Sequence, residues 1–332
     1  MLFILTNSQD ATASYLVSIL ENSKIPFLRL DTDCLLSKIA ITYSNGKPGI
    51  KIDGRWYNEA DVDCIWYRRP EQLKDARFDD SAESRYTRSE WTEFIECFFA
   101  HVPIARWMNH PARNALASRK LEQLTTAVEL GFRVPDTLAT QEADELKQFY
   151  SSHSGRVIIK PLSNGYIERK GDECDSLIYT NRLTENHLSK LEDLKVCPAL
   201  FQQYILKQSD VRITVVDSDI HAVKLRADDE SGAQRCDIRR NNMSDVAYEI
   251  ISLPENVKDC VRKLMKHYGL RFAAIDMAVS VNGEWYFFEV NPNGQWAWLD
   301  LSASTNIAQS FVKSFSKTDA FRHEFLDSKM AR

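Results

Sequence analysis

The spacing of apolar residues near the start of the chain predicts a strand, a helix and a second strand. The apolar run "LFILT" precedes a segment in which Tyr15, Leu16, Ile19 and Leu20 fall on one helical face, and the apolar segment "PFLRLD" follows. A helix that connects two strands in this way joins strands of the same direction. The sequence therefore predicts a parallel sheet in its first part.

The rest of the pattern alternates strands and helices without internal repeats. "ITYSNGKPGIKIDGRWY" predicts a hairpin around Asn45-Gly46, because both residue types tolerate the positive φ angles of a tight turn. Apolar spacing predicts helices over residues 81–102, around 116–128 with Gly131 as C-cap, near 184–194, over 255–269 and over 301–314. Most other apolar runs, from "DVDCIWYRRP" to "IHAVKLRA", are short and predict strands.

The last predicted hairpin carries the first candidate chemistry. "FAAIDMAVSV" and "EWYFFEVN" flank Asn282-Gly283, and folding about this turn brings Asp276 opposite Glu289. Asn291, two residues further on, shares a face with Glu289. Like charges directly opposite destabilise a sheet unless a cation lies between them, and three oxygen donors suit Mg²⁺. The alternative is that Glu289 is a solvated carboxylate on an edge strand.

Two lysines are candidates for phosphate binding. Lys120 lies in a predicted helix, and Lys160 ends the apolar strand "RVIIK", followed closely by the small residues of 163–165. A lysine at the end of a buried strand is a point charge suited to a phosphate, although each could also be a solvated surface lysine. The chain has no P-loop and no GxGxxG, so it lacks the Walker and Rossmann signatures.

Arginines offer a second set of candidates. Arg212 alternates with apolar residues in "DVRITVV", and Arg239 follows Asp237 in "CDIRR". A guanidinium can hold a phosphate or an acyl phosphate through two hydrogen bonds, but surface ion pairs explain such residues equally well.

Composition narrows the class of protein. The 332 residues are 44% hydrophobic and 27% charged with a net charge of −5, which is typical of a globular protein of two or three domains and not of a general nucleic-acid or membrane-surface binder. The first apolar run is too short for a signal peptide or a membrane span. Seven scattered cysteines without a CxxC pair indicate neither a zinc site nor a disulfide framework. We therefore expect a cytoplasmic protein with no nucleic-acid or membrane partner.

The order of these motifs resembles the ATP-grasp superfamily. The helix of Lys120, "VIIKP", "FQQYI", "DVRI", Asp276 and "FFEVNPNG" carry the resemblance. "WYRRP" (66–70), "DIRR" (237–240) and "EVNPNGQWAW" (289–298) are similar to the branch that matures ribosomal peptides, the microviridin-type or graspetide ligases. The resemblance covers about residues 1–314. It implies an α/β fold with α+β lobes: an N-terminal pre-ATP-grasp domain (1–112), a central lobe (113–200) and a C-terminal lobe (201–332), with ATP between the two lobes.

The resemblance also assigns residues to ATP and Mg²⁺. It implies that Asp276, Glu289 and Asn291 bind the metal and that Arg212 and Arg239 face the phosphate or acyl phosphate. The nucleotide would be bound by Lys120, Lys160, Gln203, Tyr204, Ile205 and Asp210, the three consecutive residues forming the hinge beside adenine. Two departures stand out: Gln203 occupies the usual place of a glutamate, and Asp237-Ile238-Arg239 replaces aspartate-tryptophan-arginine.

The implied activity is ATP-dependent macrocyclisation. Aspartate or glutamate side chains of a precursor peptide, made of leader and core, would be activated as acyl phosphates and joined to a hydroxyl or amine. A homodimer is one arrangement that the resemblance allows. The alternatives are an ATP-grasp ligase for amino acids or other small molecules, and a module that binds nucleotide or peptide without turnover. Trp296 and Trp298 either line the peptide site or pack in the core.

Overall fold

A computed structural model of the chain describes residues 1–163, 165–167, 169, 176–227 and 236–316. Within these residues the strands form one parallel sheet and four antiparallel sheets. No helix in these ranges is long and apolar enough to cross a membrane.

The N-terminal sheet is parallel, as predicted. Its strands lie in the order β2-β1-β6-β7 and span Leu2–Thr6 (β1), Phe27–Asp31 (β2), Cys64–Tyr67 (β6) and Trp107–Met108 (β7). Helix α1 (Ala11–Asn22) connects the first two strands and buries Leu16 and Leu20. The side chain of Asp10 caps this helix by accepting hydrogen bonds from the amides of Thr12 and Ala13.

The predicted hairpin is present, but the segment holds three strands. They are β3 (Ile39–Ser44), β4 (Lys47–Ile52) and β5 (Arg55–Tyr57). Asn45 and Gly46 have φ angles of 51° and 78°, as a tight turn with two positive φ angles requires. A second turn at Asp53-Gly54, with φ angles of 45° and 85°, explains why the prediction of one hairpin missed the third strand.

Three helices follow, and the predicted helix around 116–128 is interrupted. They are α2 (Ala82–Ala100), α3 (Pro111–Ala117) and α4 (Lys120–Glu129). Extended backbone at Arg119 separates α3 from α4. Gly131 has a φ of 96° just after α4, which confirms its role at the C-terminus of that helix.

The central sheet is antiparallel with the order β12-β9-β13-β8. Its strands are β8 (Thr137–Thr140), β9 (Val157–Lys160), β12 (Asn181–Arg182) and β13 (Ala199–Gln203). Helices α5 (Ala143–Ser152) and α6 (Glu185–Leu188) lie in the same part of the chain. A small pair of strands, β10 (Tyr166–Ile167) and β11 (Ser176–Leu177), lies in the connection after β9. The helix predicted near 184–194 is thus only one turn of α-helix, followed by a 3₁₀ turn over Leu191–Lys195.

The C-terminal sheet has the order β16-β15-β14-β17-β18 and is antiparallel throughout. Its strands are β14 (Lys207–Val216), β15 (Asp219–Ala227), β16 (Val246–Ile250), β17 (Phe272–Ser280) and β18 (Trp285–Asn291). Helix α7 (Glu255–Tyr268) packs against it, and α8 (Ala297–Ala303) follows β18.

The single helix predicted over 301–314 is wrong. Helix α8 ends before Ser304, whose φ is 54°, and a separate helical segment covers residues 307–316. The Asp300 carboxylate accepts hydrogen bonds from the amides of Ile307 and Ala308, both at 2.8 Å, and so stabilises the start of the second segment.

Two hydrophobic cores connect distant parts of the chain. Leu124 and Ala127 of α4 pack with Ile213 and Ile275 of the C-terminal sheet. A second core joins the N-terminal sheet to the end of the described chain and includes Leu2, Leu16, Trp66, Trp296, Phe311 and Phe315. The predicted domain boundaries near 112 and 200 remain a prediction, but these cores show that the segments are packed together.

Candidate functional site

The pairing of β17 with β18 confirms the predicted juxtaposition of Asp276 and Glu289. The register of the strands near the turn differs from the predicted one. Near the turn Val279 pairs with Trp285 and Met277 with Phe287, one residue out of the register that a turn centred on Asn282-Gly283 would give. The register shift that follows leaves Phe288 without a partner, so that Asp276 meets Glu289.

Cations flank this carboxylate pair on both sides. Arg212 of β14 pairs with Asp276 on the neighbouring strand, with 3.2 Å between Nε and Oδ1. The ammonium of Lys120 lies 3.7 Å from Oε2 of Glu289. Burial raises the pKa of Asp276; Arg212 opposes this shift and the Glu289 carboxylate adds to it. Each carboxylate of the pair therefore has one cation within 4 Å, and the two carboxylates still repel each other.

The oxygen donors at this point fit a magnesium ion. Asp276 and Glu289 supply carboxylates, and Asn291 follows two residues later with its Oδ1 accepting a hydrogen bond of 2.9 Å from the amide of Asn293. That bond orients the side-chain amide and leaves the oxygen a second lone pair. A donor set made only of hard oxygens is what Mg²⁺ prefers, usually completed by water and phosphate oxygens.

Two lysines face these donors. Lys120 is the first residue of α4 and donates hydrogen bonds to the carbonyl oxygens of Pro161 and Ser163, both at 2.9 Å. Lys160 ends β9, one residue before that loop. Burial lowers the pKa of Lys160 to about 8; Glu289 opposes the shift and Lys120 reinforces it. An anion such as phosphate would relieve the unfavourable burial of this charge.

The segment Gln203-Tyr204-Ile205 connects the central sheet to β14. The amides of Gln203 and Tyr204 donate to the carbonyl oxygens of Asp136 and Arg156, both at 2.8 Å, which fixes the course of this connection.

Asp210 lies in the same cleft and is neutralised by a residue that the sequence analysis missed. Lys207 donates to both of its carboxylate oxygens at 2.8 Å. Burial raises the pKa of Asp210, and Lys207 opposes that shift. The only sequence signal for Lys207 was its proximity to Asp210, which does not distinguish it from a surface lysine.

Arg239 is oriented by Asp237. Its guanidinium donates to both carboxylate oxygens, at 2.8 Å and 2.6 Å, and lies 5.7 Å from the centre of the Tyr179 ring. Burial alone would raise the pKa of Asp237, but the hydrogen bonds and charge of Arg239 hold it below its usual value. The Arg239 side chain is 58% exposed, so it retains a face toward the cleft.

All predicted site residues line one cleft of 530 Å³ between the central and C-terminal sheets; they are Lys120, Lys160, Gln203, Tyr204, Ile205, Asp210, Arg212, Arg239, Asp276, Glu289 and Asn291. The two tryptophans separate. Trp298 lines this cleft, 6.0 Å from the guanidinium of Arg212, whereas Trp296 is completely buried and stacks on Phe311 with 4.8 Å between ring centres.

The loop after Asn291 is held by the N-terminal sheet. Arg68, at the end of β6, is completely buried, donates to the carbonyl oxygen of Asn293 and donates to Oε1 of Gln295 at 2.5 Å. Its Nε lies 3.4 Å from the buried carboxylate of Asp10. "WYRRP" and "EVNPNGQWAW" therefore meet in space, a contact that the sequence analysis did not predict. Within the second motif Gly294 is required, because a Cβ there would lie 2.3 Å from that of Ala274 on β17.

Comparison with known families identifies the part of the chain that carries the cleft. Residues 122–291 match the model of the prokaryotic glutathione synthetase ATP-grasp domain. The matched segment contains β9, the hinge and the strands of Asp276 and Glu289. No curated protein sequence matches the chain.

Solved structures match over nearly the whole chain. The macrocyclase MdnC bound with precursor peptide MdnA, from Microcystis aeruginosa MRC, is 26% identical with a TM-score of 0.82, covering 96% of this chain and 100% of that one. A RiPP-associated ATP-grasp ligase from Chryseobacterium gregarium, in complex with ADP and a leader and core peptide, is 25% identical with a TM-score of 0.81, covering 95% and 96%. The macrocyclase MdnB from Microcystis aeruginosa MRC is 26% identical with a TM-score of 0.73, covering 95% and 98%.

Proposed function

Since the chain belongs to the prokaryotic glutathione synthetase ATP-grasp family, we propose that it is an ADP-forming ligase that closes rings in a ribosomally made precursor peptide. The observation that carries the proposal is the opposition, across one cleft, of Asp276, Glu289 and Asn291 to Lys120 and Lys160. The peptide substrate is supported by the full-length similarity to peptide ligases, which includes the N-terminal sheet outside the family match.

The reaction has two steps. A side-chain carboxylate of the peptide attacks the γ-phosphorus of ATP, the bond to the β,γ-bridging oxygen breaks, and ADP leaves. A hydroxyl or amine of the same peptide then attacks the acyl phosphate carbon, loses its proton and displaces inorganic phosphate. Each ring thus consumes one ATP and removes the elements of one water molecule from the peptide.

Each group in the cleft has a place in this chemistry. Lys120 and Lys160 hold phosphate oxygens. The phosphate also offsets the free-energy cost of burying the Lys160 ammonium. Asp276, Glu289 and Asn291 would hold Mg²⁺, which would neutralise phosphate charge. Arg239, aligned by Asp237, and Arg212 stabilise the negative charge of the acyl phosphate and of the tetrahedral oxyanion that follows.

We assign adenine recognition to the hinge, Gln203-Tyr204-Ile205, at the end of β13. The Gln203 and Tyr204 amides already donate within the chain, so the Ile205 amide and the carbonyl oxygens of the hinge would bind the base. This explains why glutamine in place of glutamate at 203 is compatible with nucleotide binding: backbone groups read the base. Asp210 lies on β14 beyond the linker, where its carboxylate can accept hydrogen bonds from a ribose.

Several features of the proposal go further than the similarity of fold. The proposed partner is a precursor peptide with a leader and a core, and the proposed cofactors are ATP and Mg²⁺. A homodimer and a cytoplasmic location remain predictions.

A ligase for small molecules is the second candidate, since the family match by itself covers only the ATP-grasp region. A non-catalytic binding module is not favoured, because Lys160, Asp276, Glu289 and Asn291 are all present.

The test is mass spectrometry of a precursor peptide incubated with the protein, ATP and Mg²⁺. The proposal expects a peptide lighter by one water mass per ring, with ADP formed in proportion. Glu289→Gln is the matched control: it replaces the carboxylate with an amide of the same size, should fold normally and should lose ATP turnover. ADP formation that depends on free amino acids, with an unchanged peptide mass, would instead establish a small-molecule ligase.

A further inference from the structure

Gln123 is a buried glutamine whose side-chain amide is fully engaged. It lies on the first turn of α4 and is 2% exposed. Its Nε2 donates to the carbonyl oxygen of Val290 at 2.9 Å and also to that of Ala117, and its Oε1 accepts from the amide of Val290 at 3.0 Å. The side chain therefore bonds both backbone polar groups of one strand residue.

That residue lies between two of the proposed metal ligands. Val290 is preceded by Glu289 and followed by Asn291, at the end of β18, which is the last strand of its sheet. A strand at the edge of a sheet has backbone groups that no neighbouring strand satisfies. At Val290 the amide of Gln123 takes the place of that missing strand. Because the site is buried, losing these bonds would leave two backbone groups unpaired and free the strand to shift.

The same helix carries Lys120 to Glu289. Residues three apart lie on neighbouring positions of a helix surface, so Lys120 and Gln123 face the same strand. Gln123 fixes α4 to the backbone at Val290, and Lys120, one turn earlier, places its ammonium 3.7 Å from the Glu289 carboxylate. The distance between the phosphate lysine and the metal ligands thus depends on one buried amide.

We propose that Gln123 is a positioning residue that sets the orientation of Glu289 and Asn291 relative to Lys120, and thereby the affinity for metal-bound nucleotide. The inference rests on the proposed assignment of these three residues to metal and phosphate. It concerns a side chain that lines the cleft but bonds backbone groups through both ends of its amide, and that acts through the backbone between the ligands.

Gln123→Leu tests this inference, with Thr126→Val as its matched control. Thr126 is buried on the same helix, and its hydroxyl donates to Oε1 of Glu122 at 2.8 Å rather than to a backbone group of β18. Mn²⁺ serves as the metal probe, and binding of ADP is measured with Mn²⁺ and with a chelator by calorimetry, beside the thermal midpoint. We expect Gln123→Leu to weaken Mn²⁺-dependent ADP binding by about 10- to 100-fold, the range typical of lost partners behind metal ligands. Binding of ADP without metal should change little, and Thr126→Val should leave both unchanged.

Gln123→Glu keeps the length of the side chain and an acceptor for the Val290 amide but loses the donor to its carbonyl oxygen. If Gln123→Leu does not fold, Gln123→Glu tests the inference in its place. We expect Gln123→Glu to show the same selective loss of metal-dependent ADP binding. The inference is overturned if the folded Gln123 variants bind Mn²⁺ and ADP as tightly as Thr126→Val. A failure of the proposed function is separable, because it would appear as an unchanged peptide mass with the wild-type protein while these binding measurements stand on their own.

Discussion

Lys160 is the residue at which burial and function conflict most clearly. Its pKa is lowered from 10.5 to about 8, chiefly because burial disfavours the ammonium. Between these two values the unfolded chain holds the proton and the folded chain does not, so the contribution of Lys160 to stability is unfavourable below pH 8 and rises from pH 8 toward 10.5. A phosphate beside the lysine favours the charged form and raises its pKa again.

The protein is therefore expected to take up a proton when it binds ADP above pH 8. Calorimetry at pH 8.5 in two buffers with different heats of ionisation measures this uptake directly. Lys160→Arg is the control, because a guanidinium stays charged and should bind ADP without taking up a proton through this residue. Equal uptake by wild type and Lys160→Arg would show that another group is responsible.

Sequence reasoning selected residues that the structure brings into one cleft, but it missed Gln123 and Lys207, which line the same cleft. Lys160, Asp276 and Glu289 are charged residues in or beside apolar strands, a pattern that already points to a site. Gln123 and Lys207 carry no such signal, since a glutamine or lysine on an amphipathic element is normally a solvated residue. Their importance depends on what packs over them, and that is a property of the fold.

At the scale of elements, α4 combines a buried side with an unusually apolar exposed side. Leu124 is 7% exposed, whereas Leu121 and Val128 are 43% and 55% exposed. Leu124→Ala should lower the free energy of unfolding by about 2–5 kcal/mol, because it removes a packed side chain from the core shared with the C-terminal sheet.

Leu121→Ala is the matched variant on the same helix and should change stability by no more than about 0.5 kcal/mol. Urea unfolding followed by circular dichroism compares the two. Similar losses in both variants would mean that Leu121 is covered in solution by something other than the residues that the structure describes.

The C-terminal hairpin shows how far element predictions reach. Counting outward from Asn282-Gly283 gave the correct partners for Asp276, yet the strands next to the turn are in a different register. The unpaired Phe288 restores the predicted pairing of Asp276 with Glu289. The residue pattern of an apolar strand gives no signal of such a register shift. The structure, and not the sequence, gives the cause of the split in the last predicted helix. Asp300 caps a helix that begins seven residues later in the chain.

At the scale of the whole molecule, the N-terminal sheet is part of the site's support. The guanidinium of Arg68 is completely buried, and burial lowers its pKa to about 10, with Asp10 partly opposing that shift. It bridges Asp10, the cap of α1, to the loop that follows Asn291, a proposed metal ligand. Motifs more than two hundred residues apart thus form one network, which connects the N-terminal sheet to the loop beside the candidate site.

Arg68→Met should lower the free energy of unfolding by about 3–5 kcal/mol, because it leaves the buried Asp10 carboxylate without its cation. Arg69→Met is the control: Arg69 is exposed, reaches the carbonyl oxygen of Asn293 only at 3.5 Å, and should contribute about 1 kcal/mol or less. Adding Asp10→Asn to Arg68→Met removes the uncompensated charge and keeps an oxygen for capping α1, so chemical denaturation should recover part of the lost stability. Ring formation should stay impaired in this double variant, because the loop from Asn293 to Gln295 still lacks its donor. Full recovery of ring formation together with stability would mean that Arg68 supports the fold alone and does not orient the metal ligands.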